Sequence, residues 1–258
     1  MTVPRIAITE PRGPAEAPLV VLGAALGTTT TLWDAAASLL RDRYRVLAFD
    51  HPGHGASPVP PEPFSIAEVG AGVLVALDSI GEREFHYSGV SLGGTVGLEL
   101  LLAASDRVLS AAIVCSGAKI GEAPGWHDRA ATVRADGTAS LMSGASERWF
   151  TPASIEQNPT VTMRILNSLR DTDDESYAMC CEALADFDVR DALDRIAKPV
   201  LAVWAEHDEV TPELLSILIA DGVRHGRVHE IKNASHLALI EQPAAVAAVL
   251  DEFFGGAR

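Results

Sequence analysis

Positive charge is in short supply in this chain: 20 Lys and Arg stand against 35 Asp and Glu, for a formal net charge of −15. Nucleic acid binding needs a basic surface that displaces phosphate counterions, and this balance does not supply one. Cysteine is sparser still, at three residues. Cys115, Cys180 and Cys181 make no disulfide framework, and the adjacent pair reads as ordinary helix packing rather than as a redox or metal site. No metal-ligand spacing is present, so neither a metal nor a cofactor is expected. No apolar run approaches the roughly 20 residues that cross a bilayer, which sets membranes aside as a partner. The stretch Met1 to Ile6 lacks the charged-then-apolar pattern of a signal peptide, so the expectation is a cytoplasmic chain. Internal repeats, low-complexity tracts and Pro/Ser-rich linkers are also missing. Oligomeric state is left open.

What is there suits one large core: 258 residues, 48% of them hydrophobic, fall within the range of a single α/β domain carrying an insertion. Strand and helix patterns alternate up to Val108–Cys115 and again from about Val189 to the end. In between, residues 118–188 hold helical patterns only, at Trp126–Ala135, Thr138–Trp149, Pro152–Leu169 and Ser176–Ala185, punctuated by Pro152 and Pro159. The expected organisation is therefore an α/β core over 1–117 and 189–258, with a mostly parallel central sheet flanked by helices. A helical cap over 118–188 would roof the carboxyl ends of the strands.

One motif stands out, Gly89-Val90-Ser91-Leu92-Gly93. A serine with glycine two residues away on each side fits a strained strand-to-helix turn that exposes a nucleophile. The glycines have a steric reason, since side chains there would collide with neighbouring backbone. The preceding residues, Glu84 to Ser88, are strand-like only in part; the following run from Gly94 to Ala104 is apolar at helical spacing.

On an open parallel sheet this nucleophile is followed along the chain by an acid and then a histidine. Pro199–Trp204 reads as a buried strand, and Asp208 lies in the loop after it. Arg227–Ile231 reads as a shorter strand, and His236 lies beyond it, before the helix opened by Glu241-Gln242-Pro243. All three candidates fall past the carboxyl end of a strand, where such sheets place their ligand crevice. Glu206 is the rival acid; His207 and His229 are rival bases. The chemistry joins the three types: imidazole takes the hydroxyl proton and returns it to a leaving group, and the carboxylate fixes its tautomer. An oxyanion also needs donors. The N–H of Leu92 is one, and the loop Gly23–Thr28 after the strand Pro18–Leu22 offers the second at the N–H of Leu26.

The chain resembles the α/β-hydrolase fold family over nearly its whole length, and within it the 3-oxoadipate enol-lactonases of the bacterial β-ketoadipate pathway. The narrower likeness lies in Trp126-His127-Asp128-Arg129, Arg148-Trp149-Phe150-Thr151-Pro152 and Tyr177-Ala178-Met179-Cys180-Cys181-Glu182-Ala183-Leu184. Leu26-Gly27-Thr28 with Trp33, the serine motif and Glu241-Gln242-Pro243 support it. Two places depart from the family pattern. Ala24-Ala25 stands where Asn-Ser is usual, and His51-Pro52-Gly53-His54-Gly55 stands where Arg-Gly-His-Gly is common.

The resemblance implies opening of a carboxymethyl enol-lactone to 3-oxoadipate. Ser91 would be the nucleophile, His236 the base and Asp208 its orienter. An anionic substrate in a chain this acidic needs local cations, because the global field opposes its approach. Arg129 and Arg148 are the candidates, with Trp126 and Trp149 as pocket walls. The other readings are a carboxylesterase or lactonase for a different substrate, a cofactor-free perhydrolase, or a small-molecule receptor on the same fold.

Overall fold

The computed structural model describes residues 3–256. Met1, Thr2, Ala257 and Arg258 lie outside it, and with them two of the six residues read for a leader. Six strands form one parallel sheet: β1 (Leu19–Gly23), β2 (Arg45–Phe49), β3 (Phe85–Val90), β4 (Val108–Val114), β5 (Pro199–Ala205) and β6 (His225–Ile231). Their spatial order is β2-β1-β3-β4-β5-β6. β1 and β3 are buried at every residue, as a parallel strand covered on both faces must be. β6, the last strand, is largely exposed and carries Arg227 and His229 on the sheet edge. The opposite edge is shielded in part, where Ile8 and Arg12 lie antiparallel to β2.

The chain runs from β1 outward to β2 and then returns past β1 to build β3 through β6. The reversal opens a crevice at the carboxyl ends of β1 and β3. Eleven helices among the described residues complete the fold. They are α1 (Asp34–Leu40), α2 (Ile66–Ser79), α3 (Leu92–Ala103), α4 (Ala123–Asp136), α5 (Met142–Trp149), α6 (Pro152–Gln157), α7 (Pro159–Arg170), α8 (Asp174–Asp186), α9 (Glu213–Gly222), α10 (Ala238–Glu241) and α11 (Pro243–Gly256). Local chemistry sets several of their ends. Ser65 and Glu68 form a reciprocal capping box at the start of α2, and α1 packs on α11, α2 on α3, and α9 against β5 and β6.

Helices α4 to α8 are inserted between β4 and β5, and the Val189 N–H donates to the Ala118 carbonyl at 2.9 Å where the chain leaves and rejoins the sheet. The sequence pattern over Pro152–Leu169 suggested one helix; the structure has two. Pro159 has no N–H for the i−4 bond and drives the residue before it out of the helical region, so Asn158 sits at φ −130°, ψ 50° and α7 restarts with Pro159 in its first turn. The stretch Thr138–Trp149 is likewise divided, into a 3₁₀ turn at Thr138–Leu141 and α5. The insertion holds together through α4 on α8, where Arg134 pairs with both Glu175 and Glu182.

Candidate active site

β3 hands directly over to α3 at Ser91, whose φ of 54° and ψ of −115° lie outside the regions open to ordinary L-residues. Such a conformation costs on the order of 1–3 kcal/mol and persists only where its surroundings enforce it. They do so from both sides. The Ser91 N–H donates to the carbonyls of Val114 (3.0 Å) and Cys115 (3.1 Å), while its own carbonyl accepts from the Ser116 hydroxyl (2.7 Å) and the Gly94 N–H (2.8 Å). A Cβ at position 89 would overlap the Gly93 carbonyl, and one at position 93 the Gly23 carbonyl. The glycines are therefore required by the close approach of β1, β3 and α3.

The loop after β5 carries Asp208, and the loop after β6 carries His236. The Asp208 carboxylate faces His236 Nδ1 at 3.0 and 3.1 Å through its two oxygens. It also accepts from the N–H groups of Val210 (2.8 Å) and Thr211 (3.0 Å) and from the Thr211 hydroxyl (2.5 Å). Burial alone would raise its pKa, but His236 and the Thr211 donors outweigh it and hold the carboxyl at about 2. The Asp208 carboxylate fixes the proton of His236 on Nδ1, which leaves Nε2 as a proton acceptor. His236 and Ser91 line the same cavity.

The rival residues stand elsewhere. Glu206 is exposed and accepts from the Asn233 N–H. His207 is exposed beside a different depression, and His229 is exposed on β6.

That cavity has a volume of about 260 Å³, at the small end for small-molecule sites, which run roughly 300–1,000 Å³. Its floor is Ser91, His236 and the Ala25–Leu26 turn. Its roof comes from the inserted helices, with Trp126 and Arg129 of α4, Arg148 and Trp149 of α5, and Tyr177 of α8. All four aromatic and arginine residues expected from the sequence are there. Leu26 lines the cavity and Leu92 opens α3, so the Leu92 N–H belongs to the first turn, where no helical carbonyl can accept it.

Arg129 lies over the Trp126 indole at 5.2 Å from the ring centroid. The Trp126 Nε1–H donates to the Ile120 carbonyl at 2.6 Å and pins the ring. Burial lowers the pKa of Arg148, and the like charge of Arg129 lowers it further. Among the described residues neither arginine stands in an ion pair. Two half-buried guanidinium groups near each other and without carboxylate partners have the chemistry to hold an anion. Burial also pushes the Tyr177 hydroxyl upward, so it stays protonated as a donor. Among the described residues no three His, Cys, Asp or Glu side chains gather in a metal-binding cluster, and no helix is long and apolar enough to cross a membrane.

Two features were not anticipated from the sequence. Tyr177 was part of a resembling run without a role of its own. Glu241, read as part of a helix start, ties roof to floor: one oxygen accepts from the Thr151 N–H (2.8 Å) and hydroxyl (2.7 Å), the other from the Ser235 N–H (2.6 Å) beside His236. Glutamate preceding Gln-Pro is the only trace of this in the sequence.

Residues 18–243 match the family described as alpha/beta hydrolase fold. The chain is 35% identical over 245 residues to a 3-oxoadipate enol-lactonase 2 of Acinetobacter baylyi, covering 93% of this chain and 91% of that protein. The solved structure of an enol-lactonase from Burkholderia xenovorans LB400 superposes with a TM-score of 0.93 at 30% identity, over 97% of this chain and 96% of that one. A hydrolase from Pseudomonas aeruginosa PA01 superposes with a TM-score of 0.90 at 35% identity, over 97% and 93%.

Proposed function

The chain belongs to the α/β-hydrolase fold family, and from that premise we propose that it is a serine hydrolase that opens 3-oxoadipate enol-lactone to 3-oxoadipate. The observation that carries this reading is the shared lining of one small cavity by Ser91, His236 and two arginines without carboxylate partners. Likeness to two enol-lactonases supports it. Residues 118–188, which carry helices α4 to α8, act as the lid of the α/β core.

In this mechanism Arg129 and Arg148 receive the substrate carboxylate, and the indoles of Trp126 and Trp149 wall the ring. His236 Nε2 takes the Ser91 proton as Oγ bonds to the lactone carbonyl carbon. The oxyanion is held by the N–H groups of Leu26 and Leu92. Collapse breaks the ring C–O bond, and the enolate oxygen leaves with the proton returned by His236. The freed enol tautomerises to the ketone, which removes the nucleophile that could reclose the ring. His236 then draws a proton from water, whose oxygen attacks the acyl carbon; collapse breaks the bond to Oγ, which takes that proton back from His236 as the second carboxylate is released from Ser91. Asp208 stabilises the imidazolium in both halves.

The test is kcat/KM on the enol-lactone beside 4-nitrophenyl acetate, with intact-mass detection of an active-site phosphonate. The lactone is expected to react far faster, and one phosphonate to add per chain, with no adduct in Ser91→Ala. Equal, slow hydrolysis of both esters would overturn the lactone assignment and leave a serine hydrolase. Tight ligand binding without labelling would make the chain a receptor instead.

A further inference from the structure

Two buried histidines hold the loop after β1 from below, and neither takes part in the mechanism above. His51 Nε2 lies 2.7 Å from the Ala24 carbonyl, so that nitrogen carries the proton and donates. Its Nδ1 is buried with no partner, the state of a bare lone pair in a neutral ring. His54 has the opposite tautomer: its Nδ1 donates to the Pro52 carbonyl at 2.9 Å, and its Nε2 accepts the Gly27 N–H at 3.0 Å. A proton on that Nε2 would set one N–H against another. Both rings are fully buried, and burial lowers their pKa values to about 3 for His51 and about 4 for His54, consistent with two neutral imidazoles at ordinary pH.

Their contacts bracket one peptide. The Ala24 carbonyl is held by His51 and by the Gly93 N–H (3.0 Å), and the Ala25 carbonyl by the Thr28 N–H (3.1 Å) and hydroxyl (2.8 Å). The Gly27 N–H is held by His54. Between these fixed points lies the Ala25–Leu26 peptide, whose residues line the cavity together with Ser91. The histidines are themselves anchored. Asp50 accepts from the Thr30 N–H (2.7 Å) and the Ala56 N–H (2.9 Å), and the His54 ring stacks at 6.5 Å on Tyr177 of the roof.

We propose that His51 and His54 are positioning residues that aim the Leu26 N–H at the developing oxyanion by clamping the backbone on either side of it, one as donor and one as acceptor. The inference rests on the serine-hydrolase reading of the cavity. It also gives a reason for histidine at both places in the turn after β2, since a neutral ring can be set to donate from either nitrogen.

Amide replacements separate the clamp from mere space filling. A glutamine amide reaches the place of a histidine Nε2, and an asparagine amide the place of Nδ1. His54→Gln offers its carbonyl to the Gly27 N–H, and His51→Gln offers its NH₂ to the Ala24 carbonyl, so both are expected to keep kcat within about fivefold. His54→Asn and His51→Asn lose those contacts, and kcat is expected to fall about 10–100-fold with KM changed less than about threefold, short of the 10²–10³ for deleting an oxyanion donor outright. A boronic acid that forms a tetrahedral adduct on serine should weaken by the same factor as kcat, while inhibition by the product 3-oxoadipate stays constant.

Equal losses for Asn and Gln at both positions, or losses confined to KM with boronate affinity intact, would overturn the proposal. Should the Asn variants not fold, long-range ¹H–¹⁵N spectra of the wild-type protein decide. Nε2–H at His51 with Nδ1–H at His54 supports the clamp, and any other tautomer pair contradicts it. Phosphonate labelling of the wild type runs alongside: no label would sink the serine-hydrolase reading, whereas label with unaffected Asn variants would sink only the clamp.

Discussion

The floor and the roof of the cavity are built on different principles. The floor is tied down bond by bond: the backbone of Ser91 is held on both sides, Asp208 accepts from His236 and three further donors, and the Gly23–Thr28 loop is gripped by His51, His54, Trp33 and Gly93. The roof leaves its charges free. Arg129 lies over the Trp126 ring and hydrogen-bonds the Tyr177 hydroxyl, and Arg148 has another cation nearby, so neither is neutralised by a carboxylate. Helix α4 makes the same point internally, because its other arginine, Arg134, lies away from the cavity and is neutralised by Glu175 and Glu182. A floor with satisfied groups is preorganised for a reaction, and a roof with unsatisfied cations is prepared for a ligand.

Substitutions on each side should therefore fail differently. The largest effect belongs to the floor: Ser91→Ala or His236→Ala should lower kcat by about 10⁶-fold, and the double variant no further, since the pair acts as a unit. Rapid-quench or continuous assays on any accepted ester check this, and clearly additive losses would break the pairing. Asp208→Asn should cost about 10⁴-fold by releasing the His236 tautomer.

On the roof, Arg129→Leu or Arg148→Leu should reduce kcat/KM for a carboxylated lactone about 10–100-fold, the worth of one charge-assisted hydrogen bond. A neutral aryl ester should change by less than about threefold. If both substrates lost equally, the division between floor and roof would not hold.

Acid should expose the floor again. His51 and His54 titrate near 6.5 when unfolded and at about 3 and about 4 when folded. Below pH 6.5 the unfolded chain therefore binds more protons, and the stability present above 6.5 is lost as pH falls toward 4. Each ring contributes a slope of about 1.4 kcal/mol per pH unit. Burial raises Asp50, which opposes this in the carboxylate range. Asp208, held at about 2, adds a further loss only between its ordinary value and that one. Urea titrations from pH 7 to 4.5 should show the slope, and His51→Gln with His54→Gln should flatten it. The smallest effect is expected at Arg134→Leu, about 1 kcal/mol or less of stability, as for exposed pairs, with unchanged kinetics.

Much of the floor was legible because its chemistry is written locally. Glycines at 89 and 93 announce a turn that excludes side chains, and Asp208 and His236 each follow a run of strand character. The roof was legible only as a set of residue types. Arg129 and Arg134 are five residues apart, about 140° round a helix, and nothing in their own sequence says which faces the cavity. The packing of α4 on α8 decides it. Tyr177 and Glu241 escaped for the same reason, since each acts through contacts with distant segments. The break at Asn158 was signalled by Pro159, yet the apolar spacing on either side hid it. His51 and His54 were visible only as a departure from the family turn, and their role depends on tautomers fixed by carbonyls 27 and 2 residues away.

The most direct measurement compares 3-oxoadipate enol-lactone with its own methyl ester, which keeps the ring and the leaving group and removes only the charge. A floor that performs the reaction beneath a cationic roof predicts kcat/KM at least about 10-fold higher for the free acid, with the preference abolished in the Arg129→Leu, Arg148→Leu double variant. Equal rates for the two lactones in the wild-type protein would contradict it.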